Sequence, residues 1–96
     1  MEPTFTFKAI VWRWQGKAAW YFLTVPSNLS IQIKGFDKVR RGFGSIPVHA
    51  NIGSSSWKTS IFPEKKGTYL LPLKASIRKT EKIIEGTNVQ VTISLQ

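Results

Sequence analysis

The residues best suited to chemistry in this chain are cations set beside glycines and aromatics. Arg40 and Arg41 precede Gly42-Phe43-Gly44-Ser45. An arginine pair ahead of a glycine turn can clamp an anion, with backbone N–H groups forming a nest around it. The run shares only its glycines with a phosphate loop. It has no Gly-Lys-Ser/Thr ending, and it leads into a strand, so the helix N-terminus that holds phosphate in such loops is missing. A tight turn into a strand is the competing reading. Further along, Lys58 follows Trp57, Lys65 and Lys66 sit in a Pro-Glu-Lys-Lys-Gly turn, and Lys74, Arg78 and Lys79 occupy a helical stretch. Together with Gly42, Gly44, Arg40 and Arg41, these are the candidate anion-binding residues.

The side chains of acid–base, nucleophilic or metal chemistry are sparse. His49 is the single histidine, and its alternation with Pro47 and Asn51 turns it toward solvent. Asp37 is the single aspartate, and the four glutamates offer no pair at local spacing. No Ser/His/Asp arrangement is legible. Without cysteine there is no thiolate nucleophile, no disulfide and no Cys-based zinc site. The expectation is a non-enzymatic protein with no catalytic residue, no metal and no cofactor.

Charge gives the strongest compositional signal. Fourteen Lys and Arg against five Asp and Glu leave a formal charge of +9, which attracts polyanions such as nucleic acids. Lys34, Lys38, Arg40 and Arg41 crowd one segment with Asp37 as its sole acid. Aromatic residues gather elsewhere, at Trp12, Trp14, Trp20, Tyr21 and Phe22. Core packing is the ordinary use of such residues in a small domain. Exposed beside Arg13 and Lys17, the three tryptophans would instead form an interaction surface for a protein partner, or a platform on which bases stack.

These residues must be positioned by short elements. Phe5, Phe7, Ala9 and Val11 alternate with Thr6, Lys8, Ile10, Trp12 and Trp14, which predicts a strand from Thr4 to Trp14. Its second face turns apolar toward the end, as if covered on both sides there. Gln15-Gly16-Lys17 makes the turn, Ala19 to Val25 returns, and Pro26 stops the strand. Ser27 to Phe36 fits either a strand or one helical face. Ser27 as N-cap and Gly35 as terminator favour a short helix. Ser45 to Gly53 is a strand with Ile46, Val48, Ala50 and Ile52 inward. Trp57 to Phe62 is its hairpin partner. Thr68 to Leu73 is a short strand, with Pro72 at an edge or end. Lys74 to Glu85 is helical, with Ile77, Thr80, Ile83 and Ile84 on one side. Val89, Val91, Ile93 and Leu95 then mark a final strand. No linker, low-complexity tract or strong internal repeat is visible.

Trp20-Tyr21-Phe22-x-x-Val25-Pro26, Arg41-Gly42-Phe43-Gly44-Ser45-Ile46-x-Val48, Trp57-Lys58-Thr59-Ser60-Ile61-Phe62-Pro63 and Tyr69-Leu70-Leu71-Pro72-Leu73-Lys74 occur in order. Together they resemble a prokaryotic family, the domain of unknown function nineteen-oh-five. The resemblance runs from Phe5 to Leu95. It implies a double-split β-barrel, the group that also holds swapped-hairpin transition-state regulators and antitoxin DNA-binding domains, and it supports the helix at Ser27. The family carries no established activity. It usually shows Gly-Asp before the last strand, where this chain has Gly86-Thr87-Asn88-Val89, so Asn88 would cap that turn instead.

The sequence therefore predicts a mainly β chain. One domain over residues 1–96 forms a small double-split-type barrel of about six strands with two short helices. No apolar run approaches the ~20 residues of a membrane span. Met1-Glu2-Pro3-Thr4-Phe5 has no signal-peptide pattern, and the expected location is the cytoplasm. Two functions compete. One is a binding module for an anionic partner, a nucleic acid or phosphorylated ligand. The other is an interaction module that docks a protein through the aromatic hairpin.

Overall fold

A computed structural model describes residues 3–16, 18–36 and 44–96. Within these, seven strands and two helices follow one another as β1 (Thr4–Ile10), β2 (Trp12–Arg13), β3 (Tyr21–Thr24), α1 (Ser27–Phe36), β4 (Ile46–Ile52), β5 (Ser55–Pro63), β6 (Tyr69–Pro72), α2 (Ala75–Thr80) and β7 (Asn88–Leu95). The strands form one antiparallel sheet in the order β1-β7-β4-β5-β6-β3-β2. Its first and last members are consecutive in the chain and separated by Val11 alone. They are two halves of one bent strand: β1 pairs with β7, and β2 pairs with β3. That strand joins the two ends of the sheet and rolls it into a nearly closed barrel. The bend is fixed by Val11, whose N–H donates to Thr87 O (2.9 Å) and whose carbonyl accepts from Gly86 N–H (2.8 Å). β5 changes partner in the same way. Ser55 to Ile61 pair with β4, and only Phe62 and Pro63 reach β6.

The core is the set of inward positions that alternation marks out. Phe5, Phe7 and Val11, all four apolar residues of β4, and Val89, Val91, Ile93 and Leu95 are buried together. α1 closes one end with Ile33 buried and Leu29 packed beside it. The outward face departs from expectation. Ile10 and Trp14 are about half exposed, so the second face of the first strand is not covered. Gly35 lies inside α1 and does not end it. Phe36 is exposed but packs edge-on against Phe5, with ring centroids 6.1 Å apart.

The second helix is also shorter than its apolar pattern. Ile83 N–H donates to Arg78 O (2.8 Å) and Lys82 N–H to Lys79 O (3.3 Å), the paired bonds that close a helix with a left-handed residue. That residue is Lys82, at φ 56°. Ile83 is therefore turned into the core while Ile84 faces solvent. Thr87 holds the following turn, accepting from Ile84 N–H at its hydroxyl (3.1 Å) and donating its own N–H to Ile84 O (3.1 Å). Asn88 is instead the first residue of β7. Because a left-handed backbone strains any residue with a Cβ, Lys82→Gly should raise stability by about 0.5–1 kcal/mol. A urea melt with an unchanged or lower midpoint would contradict this. The C-terminal end of α2 is tied to the β4–β5 turn through Glu81, which accepts from the hydroxyls of Ser55 (2.6 Å) and Ser54 (3.4 Å). Gly53 permits that approach: it takes φ 56°, and a side chain there would meet the Glu81 carboxylate.

The topology contains a repeat that the sequence does not display. β1/β2-β3-α1-β4 and β5-β6-α2-β7 have the same order of elements, and the strand order maps onto itself when the halves are exchanged. The halves are joined by several pairings, among them that of β3 with β6, where Leu23 stands opposite Leu71. Reciprocal bonds flank that point: Val25 N–H donates to Tyr69 O, and Leu73 N–H to Tyr21 O, each 2.9 Å. Such a unit demands only inward and outward positions, so two unlike sequences can satisfy it.

Candidate functional site

The two halves differ where their helices meet the sheet. In the first, Ser30 lies five residues after Val25; its hydroxyl donates to Val25 O (3.1 Å) and accepts from Tyr69 N–H (3.2 Å). It is fully buried and fills its opening. In the second, Arg78 lies five residues after Leu73 and donates from Nε to Leu73 O (3.1 Å). Its guanidinium lies 4.0 Å over the ring of Tyr21, a cation–π contact that fixes the charge in place. A compact plug in one half is thus a half-buried cation in the other.

That cation lines a groove of about 350 Å³ at the place where β5 separates from β6. Lys58 projects from β5, Lys74 precedes α2, and Trp20 and Tyr21 come from the first hairpin. Among the described residues no acid lines it. Trp57 is a buried part of the lining, and among the described residues its indole N–H meets no acceptor. An unmet buried donor costs about 1–3 kcal/mol, and such exceptions call for a local explanation. Arg78 also lines a neighbouring hollow with Lys79 and Lys82, so the positive charge continues along α2.

Of the other candidate cations that the structure describes, Lys79 lines the neighbouring hollow, and Lys65 and Lys66 line neither. Lys65 and Lys66 are exposed in the turn after β5. From Lys58 to Pro63 the strand alone covers about 17 Å. Gly44 belongs to that same distant end: it takes φ 87° on the way into β4, near Pro63, which fits a tight turn. Arg40, Arg41 and Gly42, with the rest of the basic loop and Lys17, lie outside the described residues. His49 is exposed on β4, across from Lys58. Among the described residues no three His, Cys, Asp or Glu side chains come together as a metal site. None of their helices is long and apolar enough to cross a membrane.

The aromatic hairpin does not sink into the core. Trp20 is 51% exposed and Trp14 48%, while Trp12 is half-buried. Strand register sets this face. Trp12, Phe22 and Pro72 stand in one cross-strand row, and Thr24, Leu70 and Phe62 in the next. Trp12 packs on Phe22 at 5.1 Å and donates from Nε1 to Thr24 Oγ1 (2.9 Å). Trp20 stacks on the same Phe22 at 6.0 Å with planes 19° apart. Trp14 folds over Gly16, where any side chain would displace its ring, and its N–H donates to Trp20 O (2.9 Å). Trp14, Trp20, Phe22 and Leu70 line a second, open hollow of about 370 Å³. Trp20 is a wall of both this hollow and the basic groove.

Sequence reasoning singled out Lys58, Lys74, Arg78 and Trp20. It did not assign Tyr21 as the seat of Arg78 or Trp57 as part of the groove. The adjacency of inward Trp57 to outward Lys58 was the available signal, but the partner strand that makes them a groove is distant in sequence. No curated protein is detectably similar to the chain. The model of the family described as "Domain of unknown function (DUF1905)" matches residues 7–93, nearly the whole barrel, and the chain belongs to that family.

Proposed function

We propose that this protein is a non-enzymatic binding module that takes an anionic partner in the groove between β5 and the β6–α2 junction. The observation that carries this is the convergence of Lys58, Lys74 and Arg78, from separate elements, on one groove that no acid among the described residues lines. Arg78 is held by Tyr21 and Leu73 and so loses little freedom on binding. Titration against heparin at two salt concentrations tests the reading. Affinity should fall steeply with salt as counterions are released, with a Kd of about 10⁻⁶–10⁻⁴ M at physiological salt. No binding even at low salt would overturn it.

The exposed tryptophans favour a second reading, a protein docked on the aromatic face. Such an interface would depend weakly on salt, which separates the two. Neither reading uses His49. His49→Ala should change stability by less than about 0.5 kcal/mol and leave heparin binding intact. A large loss of either in melts or titrations would return His49 to the candidate site.

A further inference from the structure

We infer that the anionic partner is a single-stranded nucleic acid, with a phosphate in the groove of Lys58, Lys74 and Arg78 and an adjacent base stacked at Trp20. The inference rests on the groove being an anion site and adds the aromatic hollow to it. Trp20 is the shared wall: the cations lie on one side, and Trp14, Phe22 and Leu70 on the other. Each plausible partner uses these two surfaces differently. A sulfated or phosphorylated chain without rings would pair with the cations and leave the hollow in water. An apolar peptide would fill the hollow and leave three cations without counter-charges. A duplex offers phosphates, but its bases are stacked on each other and cannot enter a hollow between side chains. A single strand alternates a charged phosphate with a planar ring at each nucleotide, and so can satisfy both at once.

The ring geometry supports stacking. Trp20 already lies nearly parallel to Phe22 on one face, with planes 19° apart, yet half of its surface is exposed. Its orientation is therefore set before a ligand arrives, and a base adds to an existing stack. The supporting shell is equally fixed: Phe22 also packs against Trp12, which is itself hydrogen-bonded to Thr24. Every base has a π-face, so this arrangement predicts little sequence preference.

The test compares fluorescently labelled oligothymidylate, an abasic phosphodiester oligomer of the same length, a duplex and heparin at one low salt concentration, by anisotropy. Oligothymidylate should bind about tenfold or more tightly than the abasic oligomer, and more tightly than the duplex. Trp20→Ala should erase that advantage, bringing the ratio of oligothymidylate to abasic affinity down to about one. Trp20→Phe, which keeps a ring and guards against a misfolded hairpin, should restore most of it. Equal binding of thymidylate and abasic oligomer by the unaltered protein would overturn the stacking inference and leave the anion groove standing. Binding of none of the four would overturn both. A thymidylate advantage that survives Trp20→Ala would overturn the placement of the base.

Discussion

Leu71→Ala should remove about 2–5 kcal/mol of stability. Leu71 has no exposed surface and stands opposite the equally buried Leu23. Their pairing is one of those that join the two ββαβ halves. On either side of it, Tyr21 and Tyr69 accept the backbone bonds of Leu73 and Val25. Truncating Leu71 leaves a cavity between two strands pinned at both ends, so the walls have little room to collapse. The loss is large because small domains are held by a net stability of only about 5–15 kcal/mol. A urea melt should show a strongly lowered midpoint with the slope retained. Ile31→Ala, on the exposed side of α1, should change it by less than about 0.5 kcal/mol. Comparable midpoints for the two variants would mean that Leu71 is not packed in the core between β3 and β6.

The parts of this fold that sequence made legible are those where one face of an element is buried and the other wet. β4 and β7 alternate strictly, and each inward residue is buried as the pattern requires. Helix α1 was legible from Pro26-Ser27, which ends a strand and begins a helix, and Ile33 lies where its apolar face points. The end of α2 was not legible. The apolar series continues through Ile83 and Ile84, and Gly86 looks like the stop, but the chain turns left-handed at Lys82, a residue with no preference for that conformation. The tryptophans misled in the opposite sense. Their size suits a core, but β2 is a two-residue strand with the core already filled by Val11 and Leu23, and register puts Trp12 and Phe22 outside. The groove was legible only as a set of candidates. Its walls come from Trp20-Tyr21, Trp57-Lys58 and Leu73 to Arg78, three segments brought together by pairings of β5 with β6 and β6 with β3. Nothing local distinguishes Lys58, which lines it, from Lys65, which does not.

That distinction makes the charge-removal experiment the most informative one on function. Replacing Lys58, Lys74 and Arg78 together with Gln should weaken heparin and oligonucleotide binding at least tenfold at low salt. For a single strand the slope of log affinity against log salt should flatten by about 2, at ~0.7 for each phosphate no longer neutralised. Net charge alone would predict a proportionate effect from any cations. Lys65→Gln with Lys66→Gln provides the comparison, since these exposed lysines lie beyond the far end of β5. Their loss should lower affinity only slightly and leave the slope nearly unchanged. Arg78→Lys separates charge from geometry. It keeps the cation but gives up the flat guanidinium that rests on Tyr21 and the Nε bond to Leu73. The slope should persist while affinity drops, because a flexible ammonium must be ordered anew at each binding event. If both double and triple Gln variants weaken binding by the same factor per charge removed, the groove is no site at all and the protein attracts polyanions through its overall charge.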